Sequence, residues 1–260
     1  MNVLEMFSLK NKVALITGGA GFYGRQIVEA IAEAGAETYI ASRNLDALEK
    51  VASEHRSLGH DVKALCVDQS DEDSIIALRD EIKKLSGKLD VLVNNAVARP
   101  MRDYHDDASA FAESMRVNAT GLFMITRTMG DFIAEKKGGS IINIGSTMGV
   151  IGPDPTIYKD LSMHAWYPDY FFHKGGIINF SRFIASYYGD KAIRCNCISP
   201  GGLYRTTTPD EFVKNYSSRT FLGRMANDTD LKGIVVFLAS DASLYITGTN
   251  ILVDGGYTAK

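Results

Sequence analysis

The segment KVALITGGAGFYG, residues 12–24, decides the fold. Residues 12–17 are a short apolar run that predicts a buried strand, and glycines follow it at once. Residues 22–34 then carry Ile27 and Ile31 at helical spacing. A buried strand that passes through a glycine-rich turn into a helix is the first half of a strand–helix–strand unit.

The glycines of this turn, Gly19, Gly21 and Gly24, fit the pattern G-x-G-x-x-G. The first allows a tight turn, the second lets the backbone approach a diphosphate, and the third lets helix and strand pack closely. The diphosphate then binds to free N–H groups at the start of the helix. Glycine-rich turns without a ligand also match this pattern, but the place between strand and helix favours a dinucleotide-binding loop.

Apolar runs alternate with helical patterns along the rest of the chain. N-caps at Asn44 and at Ser70 or Asp71, and a helical stretch over about 109–136, mark three further helices. Continuous apolar strands between helices are typical of a parallel sheet covered on both faces. We therefore predict an α/β fold, with one doubly wound, Rossmann-type parallel sheet of about seven strands in a single domain, residues 1–260. The predicted strands are 12–17, 37–42, 62–67, 89–94, 140–145, 192–199 and 249–254.

The composition excludes several classes of protein. The 260 residues include 28 basic and 31 acidic side chains, a net charge of −3, and 45% hydrophobic residues. This balance argues against a nucleic-acid or membrane-surface binder and against extensive disorder. Because we find no secretory signal and no membrane-spanning run, we expect a cytoplasmic protein. Cys195 and Cys197 alternate on one predicted strand as small buried residues, and no metal site is expected.

The end of the second strand predicts which nucleotide binds. An acidic residue about 20 positions past the last glycine would bind the ribose 2′-hydroxyl of NAD, whereas an arginine there suits the 2′-phosphate of NADP. This chain has Ser42 and Arg43 at that point. The guanidinium of Arg43 favours NADP. NAD stays open, because Arg43 could instead be a solvated residue at the start of a helix.

Tyr170 and Lys174 form the candidate acid–base pair. They lie four residues apart, which places them on one helix face. The ammonium favours the ionised phenol and lowers its pKa from about 10. The phenol can then act as a general acid or base near neutral pH.

Together these motifs resemble the short-chain dehydrogenase/reductase family over about residues 8–258. Asn94-Asn95-Ala96 is similar to the family's Asn-Asn-Ala-Gly signature, with Val97 in place of the glycine. Thr17 and Gly18 open a loop similar to its cofactor loop. Other positions that match family motifs are the adenine-side Asp68, the Pro200-Gly201 turn beside the nicotinamide, and the tetrad Asn118, Ser146, Tyr170 and Lys174.

The resemblance implies an oxidoreductase that transfers a hydride between a nicotinamide cofactor and a carbonyl or secondary alcohol of a small molecule. Tyr170 would exchange a proton with the substrate oxygen, Lys174 would lower its pKa and hold the nicotinamide ribose, Ser146 would hydrogen-bond the carbonyl, and Asn118 would anchor a relay water. A homodimer or homotetramer is also implied. The expected cofactor contacts are Gly18, Gly19, Gly21, Phe22, Tyr23, Gly24, Ser42, Arg43, Asp68, Asn95, Ala96, Tyr170, Lys174, Pro200, Gly201 and Thr206.

The chain departs from the family pattern between Ser146 and Tyr170, where about a dozen residues are inserted, within about 153–169. Tyr158 has the more usual spacing, but serine rather than lysine stands at position 162, so Tyr170 is favoured. The insertion carries polar and aromatic side chains and should lie beside the substrate. It favours a sugar-like substrate and loosely resembles a subgroup of surface-polysaccharide and flagellin-glycan synthesis; a structural lid or a subunit contact is the alternative.

Other departures concern the loops around the cofactor. Phe22 stands where the family's common branch has glycine. In this respect the loop looks like that of the family's longer branch, which works on nucleotide sugars. The segment 201–217 is similar to the family's mobile substrate loop. Arg99 and Arg102 could meet an anionic substrate, although we expect both to be solvated, and His173 is expected to be structural or solvent-facing.

Two other functions remain open from the sequence. One is a nucleotide-sugar epimerase or dehydratase that uses resident nicotinamide transiently, which the Phe22 loop favours. The other is a non-catalytic, nucleotide-sensing protein, because a fold alone does not define a function.

Overall fold

The computed structural model describes residues 2–260 and contains one seven-stranded sheet in which every neighbouring pair of strands is parallel. The strand order is β3-β2-β1-β4-β5-β6-β7, so the α/β, Rossmann-type prediction is confirmed. All seven predicted strands are present, with ends shifted by one or two residues. They are β1 (Val13–Thr17), β2 (Glu37–Ser42), β3 (Val62–Cys66), β4 (Val91–Asn94), β5 (Gly139–Ile144), β6 (Ile193–Pro200) and β7 (Asn250–Val253).

Helices cover both faces of this sheet. One face packs against α1, α2 and α8, and the other against α3, α5 and α6. Alternate residues of β1 serve the two layers, since Ala14 and Ile16 lie in one core and Val13 and Leu15 in the other. The helices are α1 (Phe22–Glu33), α2 (Leu45–Ser57), α3 (Glu72–Ser86), α4 (Ala108–Met115), α5 (Leu122–Ala134), α6 (Pro168–Tyr187), α7 (Asp210–Arg219) and α8 (Lys232–Ala239).

The helical stretch predicted over about 109–136 is observed at residues 108–134, with a departure from the regular α-helix in its middle. A π-helical turn, Arg116–Gly121, separates α4 from α5. Gly121 packs directly on the backbone of Gln69, where a Cβ atom would overlap the Gln69 carbonyl oxygen. Such wide turns often occur at functional sites, and this one carries Asn118.

The parallel sheet places the carboxyl ends of its strands, including β1 and β4, at one edge. The chain moves outward from β1 to β3 and then returns to the other side of β1 with β4, so strand order reverses between β1 and β4. Ligands of doubly wound sheets bind at this switch point, outside the carboxyl ends of the strands. The glycine turn after β1 and the Asn94-Asn95-Ala96 turn after β4 therefore meet there.

A chain of buried amide and hydroxyl groups ties the sheet to two helices. Asn94 Nδ2 donates to Asn143 Oδ1 at 2.8 Å and to Thr126 Oγ1 of α5 at 3.0 Å. Asn143 Nδ2 donates to Ser181 Oγ of α6 at 2.9 Å. All four side chains are buried, so each depends on the others for hydrogen bonds.

No helix within residues 2–260 combines the length and the apolarity needed to cross a bilayer. Over the same described range, no three His, Cys, Asp or Glu side chains are grouped as metal ligands. Cys195 and Cys197 are buried on β6, and burial raises the pKa of both thiols.

We predict that Asn143→Ala lowers the free energy of unfolding by about 2–3 kcal/mol, because it removes the acceptor of a buried N–H of Asn94 and the donor to the buried Ser181 Oγ. Urea denaturation followed by circular dichroism measures this change. Asn179→Ala, at an exposed position of α6, is the control and should stay within about 0.5 kcal/mol of the wild type. Equal stability of the two variants would show that the buried chain does not hold the helices.

Candidate active site

The glycine turn is held by a latch between the ends of β1 and β4. Thr17 Oγ1 accepts hydrogen bonds from the backbone N–H groups of Asn95 at 3.1 Å and Ala96 at 3.0 Å. In return, Asn95 Nδ2 donates to the carbonyl oxygens of Thr17 at 3.1 Å and Gly18 at 3.0 Å. The two turns predicted to contact the cofactor are therefore brought together as one unit.

The turn itself has the shape of a diphosphate cradle. Gly18 has φ +68°, and a Cβ atom there would lie 2.9 Å from Ala96 Cα. A Cβ atom on Gly24 would overlap the Gly18 carbonyl oxygen, and one on Gly19 would lie 2.9 Å from Ile40. Gly21 is the N-cap of α1 and supplies no side-chain acceptor, so the first N–H groups of α1 are free for an anion. These residues fit a dinucleotide.

Phe22 and Tyr23 connect this cradle to the loop after β6. Tyr23 donates its hydroxyl hydrogen to the carbonyl oxygen of Gly201 at 2.8 Å. Phe22 is 65% exposed, and the guanidinium carbon of Arg205 lies 4.2 Å from the centre of its ring. The bulky residue at the glycine position is thus accommodated at the surface, against the predicted substrate loop.

The end of β2 opens onto a surface depression. It has a volume of about 650 Å³ and is lined by Ser42, Arg43, Asn44, Leu45 and Asp46. Arg43 is exposed and forms no ion pair within the described residues. Asp68, after β3, accepts hydrogen bonds from Ser70 N at 2.9 Å and Ser70 Oγ at 2.6 Å, and these bonds lower its pKa.

Ser146, Tyr170 and Lys174 come together where α6 crosses the end of β5. Lys174 is buried and donates from Nζ to the Ile144 carbonyl oxygen at 2.5 Å. Its Nζ lies 5.7 Å from the centre of the Tyr170 ring. Ser146 is buried at the end of β5, and its Oγ accepts from Met148 N at 3.1 Å.

Gly149 allows this close approach. A Cβ atom on Gly149 would overlap the backbone of Lys174, so only glycine lets α6 pack directly on the turn after Ser146. No local sequence pattern marks Gly149, because its contact joins segments that are distant in the chain.

The Tyr170 phenol is made more acidic by its surroundings. Burial favours the neutral phenol and on its own would raise the pKa. The positive charges of Lys174 and Arg99, with the polar side chains of Ser146 and Arg99, outweigh that effect, and the net pKa is lowered. Burial lowers the pKa of Lys174, while the neighbouring phenol opposes this change.

Arg99 belongs to the site more closely than its sequence position predicts. It is exposed, as expected, but its guanidinium carbon lies 4.4 Å from the centre of the Tyr170 ring. This is a cation–π contact with the predicted catalytic residue. The motif Asn94-Asn95-Ala96 locates Arg99 near the cofactor turn, but no local pattern predicts stacking on a helix reached 71 residues later, at position 170.

Asn118 fixes the segment that carries Arg99. Its Oδ1 accepts from Ala98 N at 2.8 Å, and its Nδ2 donates to the Ala98 carbonyl oxygen at 2.8 Å and to Ser114 Oγ at 3.0 Å. The structure thus gives its side chain a positioning role. Anchoring of a relay water by Asn118 stays a prediction.

His173 is buried beside Tyr170, so the solvent-facing alternative for it is wrong. The two rings meet edge to face, with their centres 5.3 Å apart. Burial, followed by the charges of Lys174 and Arg99, lowers the pKa of His173 to about 3. The imidazole is therefore neutral near pH 7.

The insertion forms a wall between α6 and α7. Asp154 pairs with Arg219 of α7 at 2.9 Å, and Tyr158 packs on Phe212 of α7 with ring centres 5.5 Å apart. The chain then reaches Pro168, where α6 begins. A cavity of about 250 Å³ lies within the insertion, lined by Pro153, Pro155, Tyr158, Leu161, Ser162, Met163, His164, Ala165 and Trp166.

The loop after β6 closes the other side of the site. Pro200 ends β6, and Gly201 N donates to the Val253 carbonyl oxygen at 3.0 Å. Gly202 N donates to the Tyr216 hydroxyl of α7 at 2.6 Å. Thr206 is exposed, and its side chain forms no hydrogen bond with the described residues.

Comparison with known proteins agrees with this geometry. The model of a protein family described as "Enoyl-(Acyl carrier protein) reductase" matches residues 23–258. The chain is 32% identical to a 7alpha-hydroxysteroid dehydrogenase of Paraclostridium sordellii, over 97% of this chain and 94% of that protein. It is 33% identical to a 2-dehydro-3-deoxy-D-gluconate 5-dehydrogenase of Pseudoalteromonas atlantica, over 99% and 100%.

A solved structure shares the whole fold. The gluconate 5-dehydrogenase of Burkholderia cenocepacia, in complex with NADP and tartrate, superposes with a TM-score of 0.88 at 26% identity, and the match covers 100% of both chains. The matches span nearly the full length of this chain and of the relatives. The chain therefore belongs to the short-chain dehydrogenase/reductase family of oxidoreductases.

Proposed function

We propose that this protein is an NADP-dependent dehydrogenase/reductase that interconverts a secondary alcohol and a carbonyl group on a hydroxylated small molecule. One observation carries the proposal: the Tyr170 phenol lies between two cations, Lys174 and Arg99, beside the buried hydroxyl of Ser146. A phenol whose pKa is lowered in this way can give and take a proton under mild conditions.

The nicotinamide supplies or accepts the hydride when bound, and the side chains handle the proton. In the reductive direction, Tyr170 Oη donates its proton to the substrate oxygen that gains negative charge. Ser146 Oγ donates a hydrogen bond to the same oxygen, and the charge of Lys174 stabilises the phenolate left on Tyr170. In the oxidative direction the Tyr170 phenolate takes the proton from the alcohol oxygen.

The proposed cofactor contacts follow the edge of the sheet. The cradle of Gly18, Gly19, Gly21 and Gly24 would bind the diphosphate through backbone N–H groups. Asp68 would hold the adenine side and Asn95 and Ala96 the nicotinamide side. Phe22, Tyr23, Pro200, Gly201 and Thr206 would complete the cleft from the two loops.

Arg43 supports the choice of NADP over NAD. Its guanidinium is exposed and without an ion pair in the described chain, beside an open depression at the end of β2. A similar protein from Burkholderia cenocepacia has been solved with NADP. Ser42 and Arg43 would contact the 2′-phosphate.

The wall formed by residues 153–169 supports an oxygen-rich substrate. Hydroxyl, imidazole and indole groups of Ser162, His164 and Trp166 line its cavity, and these groups hydrogen-bond to or stack on hydroxylated molecules. Two of the relatives compared above are named for sugar acids. The same relatives are named as dehydrogenases, which favours net oxidation or reduction over transient use of the nicotinamide.

We also propose a homodimer or homotetramer in the cytoplasm. Two exposed aromatic side chains of α6, Phe183 and Tyr187, stack with ring centres 6.1 Å apart, and Phe183 also stacks on the half-buried Phe180 at 6.3 Å. Such a stack is a suitable contact between copies. Analytical ultracentrifugation tests the assembly.

For Arg43→Ala we expect NADPH binding to weaken by about 10- to 100-fold, because a charge-assisted pair with the 2′-phosphate is lost. NADH binding should change by less than about twofold. Titration of nicotinamide fluorescence measures both. Lys50→Ala removes one exposed charge from α2, the helix that begins just after Arg43, and is the control. Equal affinity of the wild type for both nucleotides would contradict the NADP assignment.

For Tyr170→Phe we expect turnover to fall by about 10²- to 10⁴-fold, because the proton donor is removed. Nucleotide binding should persist. The measurement is nicotinamide absorbance with a panel of polyols, sugar acids and their oxo forms. Tyr158→Phe is the matched control, since Tyr158 packs on Phe212, and it should keep its activity. Loss of turnover in Tyr158→Phe alone would move the catalytic role to that residue.

The pH dependence should follow the lowered pKa of Tyr170. Oxidation needs the phenolate, so kcat/KM for the alcohol should rise with pH, with a midpoint below pH 10. Reduction needs the phenol and should fall over the same range. Steady-state rates in both directions measure the two limbs. Limbs centred above pH 10 would show that the two cations do not act on Tyr170.

A further inference from the structure

Arg99 places a positive charge without an anionic partner over the reacting group. Its guanidinium carbon lies 4.4 Å from the centre of the Tyr170 ring. Arg99 has no carboxylate within ion-pair distance among the described residues. Within the described chain, seven other arginines pair with a carboxylate, whereas Arg99, like Arg43 and Arg102, does not; Arg99 differs from those two in its contact with the Tyr170 ring.

The backbone around Arg99 is held firmly. The preceding residue, Ala98, is bound at both its N–H and its carbonyl oxygen by the side chain of Asn118, each at 2.8 Å. Asn118 is buried on the π-helical turn. An exposed arginine on a free loop loses side-chain entropy when it binds, but this one starts from a fixed backbone and a stacked side chain.

The groups around Arg99 leave its charge unneutralised. Tyr167 and Tyr170 meet edge to face with ring centres 6.2 Å apart, and His173 is neutral. The nearest carboxylate of α6, Asp169, is buried and forms no ion pair with Arg99. Lys174 adds a second positive charge.

The geometry suits one singly charged, planar anion. A guanidinium offers a flat fork of donors that matches a carboxylate. Lys174 Nζ already donates to the Ile144 carbonyl oxygen and faces Tyr170, so Arg99 is the cation free to bind the far part of a substrate.

We propose that Arg99 binds a carboxylate of the substrate and makes the enzyme selective for hydroxy and oxo acids over neutral polyols. This inference rests on the proposed function, because it takes the substrate to react at Tyr170. The carboxylate lies on Arg99 while the reacting carbon faces the Tyr170 hydroxyl.

Calorimetric titration of a matched pair of probes tests the proposal. Tartrate and threitol both have four carbons and hydroxyl groups on the two central ones. The end groups are two carboxylates in tartrate and two hydroxymethyl groups in threitol. Each is titrated into the protein alone and into the protein saturated with NADP⁺, at constant ionic strength. The variants are wild type, Arg99→Gln, Arg99→Lys and Arg102→Gln, which removes a second exposed arginine of the same segment.

We expect the wild type to bind tartrate at least about tenfold more tightly than threitol. Arg99→Gln should lose that preference, Arg99→Lys should keep part of it, and Arg102→Gln should retain it. Affinity for NADP⁺ should stay within about twofold in all variants, which also shows that they fold.

The proposal is overturned if Arg99→Gln binds tartrate as the wild type does, if Arg102→Gln loses as much, or if the wild type does not prefer tartrate. Failure of the proposed function looks different. In that case the wild type fails to bind NADP⁺, while the tartrate preference of the protein alone still decides the role of Arg99.

Discussion

The buried ammonium of Lys174 is the interaction on which the site depends. Burial of a charged group away from water costs free energy unless hydrogen-bond partners and nearby groups compensate for the lost hydration. Here the Ile144 carbonyl oxygen accepts from Nζ at 2.5 Å, and the Tyr170 phenol lies beside it. This arrangement requires α6 to pack on the turn after β5, and Gly149 allows that contact. The acidity of Tyr170 follows from this packing.

Parallel strands bring the loops to one edge, but side chains bonded to backbone set their positions. Thr17 and Asn95 join the turns after β1 and β4 through four hydrogen bonds. Asn118 holds Ala98, and Tyr23 holds Gly201. Each of these side chains stands in a motif that resembles a cofactor or catalytic signature, and each is engaged with protein backbone. The motif residues therefore build the cleft as well as lining it.

The strands and the glycine turn could be predicted from the sequence because their signals are local. The apolar run 12–17 predicts a buried strand from its own residues, and the glycine spacing predicts the turn, in which a Cβ atom on Gly24 would overlap the Gly18 carbonyl oxygen. The π-helical turn at Arg116–Gly121 has no such local signal; there Gly121 packs on Gln69, 52 residues earlier in the chain.

Arg99 shows the same limit at the level of function. Its position after Asn94-Asn95-Ala96 placed it near the predicted cofactor site at the edge of the sheet. Its stacking on Tyr170 depends on the position of α6, which follows the insertion. Likewise, Tyr158 has the more usual spacing from Ser146, whereas Tyr170 has a lysine four residues later, so spacing alone leaves both as candidates for the catalytic tyrosine. The packing of Tyr158 on Phe212 and the nearness of Lys174 to Tyr170 separate them in space.

The two cations around Tyr170 also couple substrate charge to the protonation of the reacting group. With Arg99 and Lys174 both acting, the phenol is more acidic. A carboxylate bound to Arg99 would offset one of these charges and raise the pKa of Tyr170 towards its ordinary value. This effect is the same for a hydroxy acid and for the oxo acid formed from it, since both carry the carboxylate. Because His173 is neutral near pH 7, no third charge obscures this effect. The substrate would thus adjust the protonation of the residue that reacts with it.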